Sequence, residues 1–136
     1  MGRISGPLMD RFDLRIEVPP VAFTDLDLPP SGDNSATVAT RVAKAREVQN
    51  TRFADKPNQH LNADAEGESL EAIASPDREG RELINRMAER FGLTARGYHR
   101  VLRVARTIAD LEGADTVRRP HVAEAVSYRL SIPTEA

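Results

Sequence analysis

The pattern of residues 96–112 constrains the fold more than any other stretch. At about 100° per residue, Tyr98, Val101, Leu102, Ala105, Ile108 and Ala109 gather within about 120° of a helical wheel. Arg96, Arg100, Arg103 and Arg106 take the opposite side. A helix with so one-sided an aliphatic face must bury it against other helices, because propensity alone does not hold such a segment in water. Its ends are marked too: Thr94 is a good N-cap, and Gly113 stops the helix.

The flanking sequence supplies the partners. Ser75-Pro76-Asp77 offers a cap, a proline at the first helical position and an acid in the first turn. The helix that follows carries Leu83, Ile84, Met87, Ala88 and Phe91 on one face, and Gly92 ends it. Pro120 opens a last helix with Val122, Ala125, Val126 and Tyr128 or Arg129 facing inward, before Pro133 stops it. Upstream, a helix begins at Asn34 or Ser35 and runs to about Phe53. Its narrow stripe of Val38, Val42, Ala45 and Val48 or Gln49 packs on one side only. Residues 54–75 hold Pro57, Gly67 and few large apolar side chains, so a loop with a short helical turn near 69–74 is expected. The fold class is mainly α, a three- to four-helix bundle, without internal repeats.

Residues 1–33 do not fit that bundle. Leu14-Arg15-Ile16-Glu17-Val18 alternates apolar and charged residues, the period of a half-buried strand, and Pro19-Pro20 stops it. Residues 21–33, with Pro29, Pro30, Ser31 and Gly32, read as a linker. A lone strand is not stable, so its sheet is expected to lie in residues outside this chain. The expected division is a disordered or irregular 1–33, a helical domain over 34–132, and a tail at 133–136.

Composition narrows the chemistry. The chain of 136 residues has no cysteine, which excludes disulfides and thiolate metal sites and fits a cytoplasmic protein. His60, His99 and His121 lack metal-ligand spacing, and His99 falls at the edge of the polar face of its helix. There is no Gly-x-Ser-x-Gly and no acid/base pair in a common element, so the chain is not expected to catalyse a reaction by itself. No apolar run approaches the roughly 20 residues of a membrane span. A net charge of −2 argues against bulk attraction to polyanions but leaves room for a local basic face.

The arginines carry what remains. A guanidinium is a permanent, planar donor suited to phosphate oxygens. Arg96 sits in the first turn of its helix, where a cation opposes the dipole at a cost of roughly 0.3–1 kcal/mol. A residue placed against local preference points to function, and free amides at that position would face an anion together with it. Arg11 lies in Ser5-Gly6-Pro7-Leu8-Met9-Asp10-Arg11-Phe12-Asp13, where pairing with Asp10 or Asp13 is the plain structural reading. Arg100, Arg103 and Arg106 form either a solvated face paired with Glu79, Glu82 and Glu89, or a face for nucleic acid or an acidic partner. No Gly-x-x-x-x-Gly-Lys-Ser/Thr loop is present to cradle phosphates.

Several stretches resemble one family. They are Ile4 to Leu14 around Gly6-Pro7 and Arg11, the helix at 41–53 with Arg46 and Gln49, Leu93-Thr94-Ala95-Arg96-Gly97-Tyr98-His99-Arg100 and its continuation to Leu111, and Ala125-Val126-Ser127-Tyr128-Arg129. Together they resemble the Mg-chelatase-like AAA+ ATPases of the competence-protein ComM (YifB) type. A more distant resemblance is to the ATP-binding subunit of magnesium chelatase. Met9 stands where the family usually has Leu, and Gly97 where a better helix former is common; Gly97 should soften the first turn by about 1 kcal/mol.

The resemblance implies that the chain is the end of an AAA+ core (1–33) followed by the helical lid (34–132) of a larger ATPase. It implies that Arg11 is an arginine finger reaching a neighbouring subunit's nucleotide, an effect of about 10³–10⁵ in rate in other NTPases. Arg96 matches the lid's sensor-2 arginine, which contacts the γ-phosphate. ATP and Mg²⁺ then belong to the parent protein, with none bound to this piece. The implied partners are the chain's own core, the neighbouring subunits of a homo-oligomeric ring, and DNA through the parent, with no membrane. The implied work is DNA remodelling of the branch-migration type, or metal chelation. The alternative is a non-catalytic helical module that binds DNA or protein through Arg100, Arg103 and Arg106, and the 54–75 loop is a further candidate partner surface.

Overall fold

The computed structural model describes Leu8, residues 11–29 and residues 32–130. Among them are five α-helices: α1 Ser35–Arg52, α2 Gly67–Ala74, α3 Arg78–Phe91, α4 Ala95–Glu112 and α5 Arg119–Leu130. Two short 3₁₀ turns, Phe23–Asp25 and Asn62–Asp64, complete the regular structure. The chain is thus a helical bundle, as its apolar periodicity indicates.

Helix α4 is the central post. Its buried Val101, Leu102, Ala105 and Ala109 share one apolar cluster with Leu83 and Ile84 of α3, Val122, Ala125 and Val126 of α5, Leu70 and Ala74 of α2, and Phe53 at the end of α1. Fully burying a Leu, Ile or Val side chain stabilises by about 1.5–3 kcal/mol, so this cluster supplies most of the drive to fold. The ends are set by local chemistry. Asn34 Oδ1 accepts the Thr37 amide at 2.8 Å, and Thr94 Oγ1 accepts that of Gly97 at 3.0 Å. Gly92 and Gly113 turn the chain in the left-handed region, at φ 64° and 82°, where a side chain would be strained.

Two expectations are corrected. Pro76 is not the first residue of α3. Asp77 is the N-cap, its carboxylate accepting the Gly80 amide at 2.8 Å. Pro76 instead forms a parallel bridge with Val117, and the Asp77 amide donates to the Val117 carbonyl. The bridge ties the α2–α3 link to the α4–α5 link. Second, Leu14 to Val18 form no strand. Leu14, Ile16 and Val18 are 47%, 68% and 82% exposed. The alternation is real, but a strand needs a partner ladder, and here only the Arg15 amide is bonded, to the carbonyl of Tyr128 in α5. The stripe of α1 is also half used. Ala45 and Gln49 are buried, while Val38, Val42 and Val48 stay 43% exposed.

A buried polar clasp locks the bundle at the far end of α4. Asp110, whose side chain is wholly shielded, receives a bidentate grip from Arg52 of α1 at 2.8 Å on each oxygen. Asn62 Nδ2 adds a bond at 2.8 Å, and Arg106 Nε one at 3.1 Å. Burial alone would raise the Asp110 carboxyl, but these bonds and the Arg106 and Arg52 charges outweigh it and hold it below its ordinary value. A depressed carboxylate stabilises the fold fully above its unfolded value near pH 4, and that contribution is lost as pH falls through the folded value. Replacing Asp110 by Asn leaves the buried Arg106 and the partly buried Arg52 short of a counter-charge. The expected loss is about 3–5 kcal/mol at neutral pH, read by chemical denaturation, together with a flatter stability curve below about pH 4.

Candidate functional site

The sequence points to four arginines on α4, and the structure gives them four different situations. Arg106 is 4% exposed and belongs to the interior. Its Nη1 donates to the carbonyls of Asp115 (2.9 Å) and Ile73 (3.3 Å), its Nη2 to that of Ala114 (2.7 Å). With Asp110 this occupies the whole fork of donors. Burial pulls the Arg106 guanidinium below its ordinary value, with the Asp110 charge acting against it. The expected continuous face of Arg100, Arg103 and Arg106 is therefore corrected: Arg106 is not available to any partner.

Arg103 is also engaged. Its Nε donates to the buried Ala65 carbonyl at 2.9 Å, pinning the loop ahead of α2. Arg100 pairs with Asp13 at 2.6 Å. Asp13 thus turns to a helix 87 positions away rather than to the adjacent Arg11. The acids expected to balance the stripe do not do so; Glu82 pairs with Arg78 on its own helix. With Asp13 half exposed, the Arg100 pair by itself is worth less than about 1 kcal/mol.

Arg96 differs from all three. It is exposed, and among the described residues it makes no hydrogen bond or ion pair. The first turn around it offers less open backbone than expected, because Thr94 already takes the Gly97 amide. The Tyr98 hydroxyl fastens the same end to α3, donating to Asn85 at 3.1 Å and accepting from Arg81 at 3.3 Å. A fixed helix end therefore presents an unpaired cation to solvent.

Arg11 lies two residues before Asp13, the partner of Arg100. Its side chain is exposed, and its amide donates to the Leu8 carbonyl at 3.1 Å; the segment Ile4-Ser5-Gly6-Pro7 before it, with Met9 and Asp10, falls outside the described residues. Phe12 and Asp13 rest against the start of α4 and the end of α5. Arg129, 5% exposed, donates to the Phe12 carbonyl at 2.9 Å, and its guanidinium packs on Gly97. A Cβ at Gly97 would stand 3.2 Å from Arg129 Nε. Gly97 is thus more than a weak helix former: it makes room for a buried arginine.

Sequence reasoning singled out neither the structural duty of Arg129 nor Asp110, Arg52 and Asn62. One sign was present, the Arg106–Asp110 spacing of four on a helix. The remaining partners come from distant segments. No group of His, Asp or Glu among the described residues could hold a metal ion. His121 is buried in a structural role, its Nδ1 accepting the Arg118 amide and its Nε2 facing Glu112. No described helix is long and apolar enough to cross a membrane.

Residues 32–129 match the family model described as magnesium chelatase, subunit ChlI C-terminal. The competence protein ComM of Haemophilus influenzae is 39% identical over 97% of this chain. Proteins called YifB from Salmonella typhimurium and Escherichia coli are each 38% identical over 95% of it. The chain spans about a quarter of the length of these curated relatives, 25% in each case.

Gly97→Ala tests the packing at this end. Helix propensity alone would favour the alanine by about 1 kcal/mol. Because Arg129 must yield, the gain in thermal denaturation is expected to vanish or turn into a loss. A full gain would mean that Arg129 does not press on the helix.

Proposed function

The chain belongs to the family of the magnesium chelatase ChlI C-terminal domain, and from that premise we propose that it is the helical lid of a larger ComM-type ATPase. In this reading Arg96 is the sensor that meets the γ-phosphate of the subunit's own ATP. Arg11 is the finger that reaches the nucleotide of a neighbouring subunit in a homo-oligomeric ring. ATP and Mg²⁺ are held mainly by a core outside this chain, and the work of the ring is remodelling DNA, with metal chelation as the other outcome open to the family.

One observation carries the reading. Of the four arginines on one side of α4, only Arg96 has no partner among the described residues. Arg100, Arg103 and Arg106 are spent on Asp13, on Ala65 and on the Asp110 clasp. An unpaired guanidinium at a helix N-terminus costs stability and gains nothing within the bundle. A phosphate would repay it with charge-assisted bonds. The same observation weakens the DNA-module alternative, since a backbone-binding stripe needs several free cations in a row.

ATPase rates of the full-length protein test this. Arg96→Ala and Arg11→Ala are each expected to cut kcat by about 10³-fold or more. Mixing the two variants should recover activity, because each intact site needs Arg96 from one subunit and Arg11 from the next. Wild-type rates in both variants would refute the phosphate reading. For the alternative, tight duplex binding by this chain alone with a steep salt slope would favour a DNA module.

A further inference from the structure

Three long-range contacts hold residues 12–15 where the start of α4 meets the end of α5. Asp13 pairs with Arg100, Arg129 donates to the Phe12 carbonyl, and the Arg15 amide donates to the Tyr128 carbonyl. Two of the three fall on backbone atoms, so they fix the path of the main chain rather than one rotamer. We propose that Asp13, Arg100 and Arg129 form a clamp that fastens the backbone carrying Arg11 to the first turns of α4, so that Arg11 and Arg96 are positioned as one unit.

Arg100 stands one helical turn after Arg96, on the same side of α4. Phe12 and Asp13 directly follow Arg11. Any tilt of the start of α4 is therefore passed on through Asp13 and Phe12 to the finger. Gly97 allows the coupling to be close, because Arg129 lies against the helix where a Cβ would otherwise stand. The inference rests on the nucleotide reading above for its consequence. With Arg96 on a subunit's own phosphate and Arg11 on its neighbour's, the clamp makes the finger's placement depend on the nucleotide held by its own subunit. Asp13, Arg100 and Arg129 are then positioning residues that link successive sites round the ring.

The chain has no cysteine, so two can be placed cleanly. Nitroxides at Leu14→Cys and Ala95→Cys, both exposed positions, should give one narrow distance distribution by pulsed electron paramagnetic resonance. Asp13→Ala or Arg100→Ala should broaden the peak, and the swap Asp13→Arg with Arg100→Asp should narrow it again. A narrow peak in every variant would overturn the clamp. In the full-length ATPase, Asp13→Ala should lower kcat about tenfold, leave KM for ATP little changed, and flatten the cooperative dependence on ATP. The charge swap should recover both. If Arg11→Ala and Arg96→Ala are inactive but Asp13→Ala behaves as wild type, the coupling is refuted while the nucleotide reading survives. If Arg11→Ala and Arg96→Ala keep full activity, the nucleotide reading falls, and the link between sites falls with it, whatever the distance measurement shows of the clamp.

Discussion

Asp110 lies buried between α1, the Asn62–Asp64 turn and α4, and the arrangement of all three depends on its charge. Arg52 reaches it from the last turn of α1, and Asn62 from the turn, where it also accepts from Arg52 and donates to Thr107. Arg106 carries the connection onward to the carbonyls of Ile73, Ala114 and Asp115, so the end of α2 and the link after α4 close on the same point. A buried ion pair is weak evidence for net stability, since desolvation offsets most of its attraction. Here it stands where four segments meet, and its directed bonds tie them to one point.

That clasp sits near one end of α4, and Arg96 sits at the other, roughly 20 Å away at about 1.5 Å per residue. Between them α4 is packed chiefly on α5, with α1 and α2 alongside. α4 is therefore a braced rod, anchored in charge at Asp110 and ending in a cation with no partner among the described residues. The arginines along it divide by duty: Arg106 holds the interior, Arg103 a loop, Arg100 the incoming chain. What is left for a ligand is Arg96, and this division underlies the proposed sensor.

Helix ends were readable because caps are local. Asn34, Thr94, Gly92 and Gly113 need only their own neighbours, and the 3.6-residue period of α4 named Val101, Leu102, Ala105 and Ala109 as core. Reading failed where the deciding partner was remote. Arg106 falls near 280° on the wheel, beside Leu102 near 240°, at a boundary where burial depends on whether distant carbonyls arrive to satisfy it. The Leu14–Val18 alternation has the right period, but a strand is a property of a pair. Gly97 looked like a loss of helix propensity until Arg129, 32 positions on, was seen resting against it. Family resemblance marked Arg11 and Arg96 and said nothing of the Asp13–Arg100 pair that joins their segments.

The central claim is that one side of α4 separates structural arginines from a single arginine reserved for nucleotide. Chemical modification of arginine in the full-length protein, followed by peptide mass spectrometry with and without ATP, tests it directly. The account predicts that Arg96 reacts readily without nucleotide and is protected when ATP is bound, while Arg106 stays unreactive in both. If ATP leaves Arg96 as reactive as before, or if Arg106 is modified as fast as Arg96, the division of roles is wrong.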